Sequence, residues 1–155
     1  MLTLIKWSIV VLVVGAVIFF LARWGVGQAA EPDNLGVKDG RLAPCPASPN
    51  CVSTTAADAE HGIAPIAYTG ETAVVHDAIL AILQSNPQFT IITDTPTYIH
   101  AEARTAVMQF IDDVEFYFDE TEGLIHFRSA SRLGYGDGGT NRQRMEEIRQ
   151  MYENR

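Results

Sequence analysis

The feature that most constrains this chain is an unbroken apolar run near its amino terminus. From Trp7 to Ala22 the residues read WSIVVLVVGAVIFFLA, with Ser8 the only polar side chain. Adding Leu2 to Lys6 gives 21 residues, a helix of roughly 31 Å, enough to cross the hydrocarbon core of a bilayer. Lys6 can snorkel to the headgroups, and Trp7 and Trp24 stand near the two ends, where indoles favour the interface. Residues 1–24 therefore read as a transmembrane anchor. The competing reading is a cleaved signal peptide, whose apolar region would run long and whose cleavage site would be Gly27-Gln28-Ala29. Either way the rest of the chain is exported. Lys6 lies before the span, and Arg23 follows it, with Lys38 and Arg41 further on, a weak bias toward an inside amino terminus.

Everything acidic lies beyond the span. The 19 Asp and Glu residues face nine Lys and Arg there, leaving the exported part near −10. A surface so acidic is a poor partner for nucleic acid or anionic headgroups, so no nucleic-acid role is expected. Residues 25–57 are rich in Gly, Pro, Ala, Ser and Asn and show little periodicity, as expected of a stalk and a cysteine-containing loop packed on a domain edge. Residues 58–155 carry the organised domain.

In that domain the period of the apolar residues changes twice. Ile63 to Tyr68 suits a short strand, limited by Pro65 to an edge or a strand start. A helix is predicted from about Glu71 to Gln84, capped by Thr69, striped by Val75, Ile79, Ile82 and Leu83, and stopped by Asn86-Pro87. Alternation then marks strands over 89–93, 97–104, about 107–118 and 124–131, with Asp119 to Gly123 as the last hairpin turn. A final helix is predicted from Thr140, with Thr140-Asn141-Arg142-Gln143 as a capping box and Met145, Ile148, Met151 and Tyr152 as its stripe. This order implies an α+β fold, a two-layer sandwich of a mostly antiparallel sheet with two helices on one face. Ile99, Ala101, Ala103, Val114, Phe116, Phe118, Ile125 and Phe127 would face the helices. Tyr98, His100, Glu102, Arg104, Asp113, Glu115, Tyr117, His126 and Arg128 would face away, toward water or a partner.

Cys45 and Cys51 are the only cysteines. In an exported, proline-rich loop a disulfide is the expected state, with a metal pair and free thiols as alternatives. The run Gly134-Tyr135-Gly136-Asp137-Gly138-Gly139 matches G-x-G-x-x-G between a predicted strand and helix. Only 16 residues follow Gly139, which leaves no second parallel strand for a dinucleotide fold. The same loop can still cradle a small anion at a helix start. Arg128, Arg132, Asp137, Asn141 and Arg142 are the candidate ligand-binding residues, with Arg144 beside them. A structural turn, in which Asp137 and the arginines pair with one another, is the alternative. Ser129 or Ser131 with His126 or His100 supplies a hydrolase inventory, and His100, Glu102 and His126 a metal inventory. Neither comes with a supporting motif, so no catalytic residue, cofactor or metal is expected.

Pro44-Cys45-Pro46-Ala47-Ser48-Pro49-Asn50-Cys51-Val52-Ser53, Tyr98-Ile99-His100-Ala101-Glu102, Phe110-Ile111-Asp112-Asp113-Val114-Glu115-Phe116 and the block from Arg128 to Arg144 together resemble the family catalogued as domain of unknown function 1499. The resemblance runs from about Leu42 to the carboxyl terminus and is similar across bacteria and plastid-bearing lineages. It implies a fold and a boundary, and no reaction. The combined expectation is a single-pass protein of a bacterial inner membrane with its soluble domain on the periplasmic side. It would be a non-enzymatic module for a protein, lipid or small anion, with an enzyme sited at 128–144 as the alternative.

Overall fold

The computed structural model describes residues 2–155, with side chains from Ile5 onward. The apolar run forms helix α1 (Leu2–Val26), which no proline interrupts. Its large side chains, from Ile5 through Trp24, stand exposed all round, the pattern of a helix whose surroundings are themselves apolar. The 22 residues Ile5–Val26 are long and apolar enough to cross a membrane. The helix ends at Gly25 and Gly27, where the Gly27 N–H still reaches the Arg23 carbonyl at 3.1 Å.

The domain is built on an antiparallel sheet. Strands β5 (Phe89–Thr95), β6 (Tyr98–Arg104), β7 (Ile111–Asp119) and β8 (Leu124–Ser131) form a meander in sequence order. At the far edge β8 pairs with two short strands, β3 (Cys51–Ser53) on its carboxyl-terminal half and β4 (Ile66–Ala67) on its amino-terminal half. Helices α2 (Thr72–Ser85) and α3 (Thr140–Glu153) cover one face. Register places Ile99 opposite Phe116, Ala101 opposite Val114 and Phe116 opposite Phe127. These side chains meet Val75, Ile79 and Leu83 of α2 and Met145 and Ile148 of α3 in one core. Every residue expected to face the helices does so. The small Ala101 and Ala103 let the helices approach the sheet, and the Phe116–Phe127 pair fills its centre with ring centroids 6.2 Å apart. Met151 lies outside the stripe of α3 and is exposed.

Two helix starts differ from expectation. Thr69 does not cap α2. Its N-cap is Glu71, without a side-chain bond, because Gly70 turns the chain at φ 94° between Thr69 and the helix. Thr140 is already inside α3 and does not cap it. The cap is Asp137, whose carboxylate accepts the N–H groups of Gly139 at 2.9 Å and Asn141 at 2.8 Å. The left-handed Gly139 at the N-cap position brings that carboxylate under the helix end.

The largest departure is on the other face of the sheet. The segment after α1 crosses that face, pairs with itself as β1 (Val37–Lys38) and β2 (Arg41–Leu42), and lies with β2 over β7 and β8. Asp39 and Gly40, both at positive φ, make the tight turn between them. A disulfide joins Cys45 to Cys51, tying this strap to strand β3. The face expected to meet water is therefore closed: His100, Asp113, Glu115 and Arg128 are each at most 4% exposed. Reduction of the disulfide is expected to cost about 2 kcal/mol, the chain-entropy value for so short a ring. In hydrogen exchange on the full-length protein in detergent, reduction should raise exchange of amides 30–46 while β6 to β8 stay protected.

Candidate functional site

Charges on the outer face of the sheet pair off under the strap. Arg132 binds Asp113 through two hydrogen bonds, Nε to Oδ2 at 2.9 Å and Nη2 to Oδ1 at 2.7 Å. Asp113 also meets His100 Nε2 at 2.8 Å. Burial would raise the Asp113 carboxyl, but the bonds from Arg132 and His100 outweigh it and hold the pKa below 3.8. The same pair pushes Arg132 up. Glu102 bridges Arg132 at 2.8 Å and Arg104 at 2.7 Å. Glu115, fully buried, accepts from Arg128, from the Tyr98 hydroxyl and from the Gly36 N–H of the strap. Burial first, and then the Glu115 charge, push the Tyr98 hydroxyl far up.

Three arginines of this region hold the chain as it leaves α1. Arg23 donates through Nη1 to the carbonyls of Ala106 (3.2 Å) and Val107. Arg104 reaches the Gly27 carbonyl at 3.5 Å, and Arg132 the Ala29 carbonyl at 3.1 Å. The end of the apolar helix is thus bonded to the β6–β7 loop. That loop is stiffened from within by the Phe110 N–H to Thr105 Oγ1 bond and the Gln109 N–H to Thr105 carbonyl bond.

On the helix side a second polar cluster surrounds Asn141, which is fully buried. Its amide donates to the Asn50 carbonyl, Ser131 Oγ and Asp137, and its oxygen accepts from Ser129 and Arg144. Arg144 continues to Asp112 at 2.5 Å. Burial would raise Asp137, yet the N–H groups of Asn141 and Gly139 hold it below 3.8. Beside this cluster opens a cleft of about 430 Å³. Val107, Met108 and Phe110 form one lip, Leu133, Gly134 and Gly136 the other, and the paired strand residues Asp112 and Ser131 lie at its base. Outside α1 there are seven exposed large apolar side chains among the described residues. Val107, Phe110 and Leu133 are three of these and line this cleft, and Tyr135, a fourth, lies in sequence between the lining residues Gly134 and Gly136.

The family described as protein of unknown function (DUF1499) matches residues 41–151. The chain belongs to this family. No curated protein and no solved structure matches it. The matched region of this DUF1499 protein holds β2 to β8, α2, nearly all of α3 and both lips of the cleft.

The DUF1499 structure distributes the candidate residues over three places. Arg128 and Arg132 lie under the strap, bound to Glu115 and Asp113. Asp137 and Asn141 come together at the start of α3. Arg142 donates to the carbonyls of Glu60 and Gly62. Each guanidinium of the segment meets a carboxylate or carbonyl elsewhere in the fold, and among the described residues none pairs with Asp137, which binds Gly139 and Asn141 instead of the arginines expected of the structural turn. Ser129 and Ser131 face the helices, whereas His100 and His126 face the strap side, so the sheet separates them. His100 and Glu102 are engaged by Asp113 and by arginines, apart from His126. Asp119, Glu122 and His126 bring ligand atoms within 4.8 Å of one another, a spacing that could hold a metal. The turn already accounts for them, since Asp119 accepts the N–H groups of Thr121 and Glu122, and His126 bonds Thr54. Residues that sequence reasoning gave no site role are Asn50, Asp112, the loop 105–110 and Arg23. The sequence pattern predicts a strand from about Val107, whereas β7 begins at Ile111 and residues 107–110 form the loop before it.

Asp113→Asn is expected to destabilise the protein by about 3 kcal/mol, because it leaves buried Arg132 short of its bidentate partner. The sign with pH follows from the depressed carboxyl. Its contribution is complete above pH 3.8 and is lost as pH falls through the folded-state value. Urea unfolding across that range should show wild-type stability declining with acid and a shallower decline in Asp113→Asn.

Proposed function

We propose that this DUF1499 protein is a membrane-tethered, non-enzymatic binding module held against the bilayer surface, with its soluble domain on the periplasmic side of a bacterial inner membrane. The observation that carries this reading is the bonding of Arg23 to the Ala106 and Val107 carbonyls. Arg23 lies three residues before the end of α1, so a bilayer around the helix brings the 105–110 loop to the headgroup level. The exposed side chains Val107 and Phe110 of that loop line one cleft with the exposed Leu133, and Trp24 and the exposed Tyr135 are residue types that favour the interface. The disulfide suits an oxidising compartment, which supports the periplasmic placement.

The ligand site in this reading is the cleft above Asp137. Asp137 lines it, while Asn141, Arg132, Arg128 and Arg142 form its frame by fixing the turn, the strap and the neighbouring loop. A small-anion site draws little support from arginines that carboxylates and carbonyls already occupy. An enzyme draws little from serines and histidines on opposite faces of the sheet.

A nitroxide at position 107 (Val107→Cys, labelled) tests the placement in the full-length protein in vesicles. Oxygen should relax it more effectively than a water-soluble nickel chelate, whereas a label at Thr121 should behave as aqueous. The Thr121 hairpin is roughly 27 Å away along β7. Aqueous behaviour at position 107 would remove the reading. For the topology, an export-dependent reporter fused after Arg155 is expected to be active, and a cytoplasm-dependent one silent.

A further inference from the structure

We propose that the cleft between the β6–β7 loop and the 133–136 segment takes up one acyl chain of a bilayer phospholipid. This rests on the reading that the domain lies against the membrane, and it names the ligand of that same site. The cleft's volume of about 430 Å³ lies within the range of about 300–1,000 Å³ typical of small-ligand sites. Its lips are apolar on both sides, with Val107, Met108 and Phe110 facing Leu133 across the opening. The position selects the ligand class. One lip is bonded to the last turn of the apolar helix, so the opening stands where acyl chains begin, and a chain enters without crossing water.

The glycines keep the cleft open. Gly134 sits at φ 97°, which its backbone requires. Gly136 has no such need, and a Cβ there would meet nothing within 4 Å. Lining the cleft without a side chain, Gly136 leaves that space free. The polar groups at the base are compatible with an apolar guest because they are already bonded. Asp112 is bound by Arg144 at 2.5 Å, and Asp137 by the N–H groups of Gly139 and Asn141. An apolar chain passing over them breaks none of these hydrogen bonds. Both carboxylates oppose an anionic group entering first, so the ligand is a chain inserted tail-first with its headgroup left at the surface, and not a fatty-acid carboxylate seated at the base.

The full-length protein is reconstituted in phosphatidylethanolamine–phosphatidylglycerol vesicles carrying a trace of phosphatidylethanolamine with a diazirine at the end of one acyl chain. After irradiation, digestion and mass spectrometry, adducts are expected on residues 131–137 as well as on α1. Gly136→Trp, which fills the cleft, should lower the 131–137 adducts about tenfold, the change set by about 1.4 kcal/mol. Adducts on α1, and the depth of the label at 107, should not change. Wild-type adducts confined to α1 and the 107–110 lip would overturn the proposal, even with the label at 107 immersed. Such a result leaves an apolar peptide or a second copy of the chain as the occupant. Undiminished adducts in a folded Gly136→Trp protein would overturn it equally, and the wild-type map decides alone if that variant does not fold. A label at 107 that is aqueous marks failure of the surface placement, a different result from an immersed label beside an empty cleft.

Discussion

The structure depends on one buried bidentate pair, Arg132 with Asp113. Both side chains are almost wholly removed from water, at 4% and 1% exposure. Two charges so placed carry a desolvation penalty of several kcal/mol each unless their geometry and remaining bonds compensate it. Compensation here is nearly complete: His100 takes up Asp113, Glu102 takes up Arg132, and the remaining Arg132 nitrogen donates to the Ala29 carbonyl. That last bond gives the pair its wider role. The strap has few apolar residues with which to hold the sheet, Leu42 being the main buried one. Its path across the face is set instead by what the buried charges still lack, an acceptor for Arg132 and a donor for Glu115, which Ala29 and Gly36 provide.

The two faces of the sheet therefore use different physics. Toward α2 and α3 the association is non-directional burial of branched and aromatic side chains, which tolerates small shifts in position. Toward the strap it is directional, and a displaced strap would leave buried donors and acceptors without partners. The disulfide adds a covalent limit at the point where the strap becomes strand β3. Together these fix the end of α1 relative to the sheet, since Arg23, Arg104 and Arg132 all bond the chain or its neighbouring loop within the turn that leaves the helix. A helix tethered by a free stalk would let the domain tumble. One clamped by three guanidinium groups presents a single end of the domain toward whatever surrounds the helix.

The parts legible in the sequence were those with a period. The alternation in β6 to β8 identified all eight core positions of those three strands, and the 3.6-residue stripe identified the buried side of α2. The strap had no period to read. Its strands are two residues each, and β3 is buried at all three positions, so neither alternates. The one local signal was Asp39-Gly40 between Val37 and Leu42, a hairpin turn with short apolar flanks. The outer face was read as open for a sound reason, since a row of charged residues on a strand is usually solvated. The exception could be suspected only from sign. Glu115 stands opposite both His100 and Arg128 in register, and opposite charges across neighbouring strands permit burial that like charges would forbid.

The glycine-rich turn shows why a matched pattern needs its surroundings before it acquires a meaning. In a parallel α/β fold such a run places backbone N–H groups under a phosphate at the helix start. In this antiparallel fold the same helix start is occupied by the protein's own anion, the Asp137 carboxylate, which accepts the N–H groups of Gly139 and Asn141 and the Asn141 amide. With that position filled from within, the glycines are left with two geometric tasks. Gly138 and Gly139, at φ 64° and 83°, bend the chain so that Asp137 can reach the helix end. Gly134 and Gly136 withhold side chains from the cleft beside it. The loop thus stabilises α3 with an internal carboxylate at the position an external anion would take, and leaves beside it an opening with apolar lips.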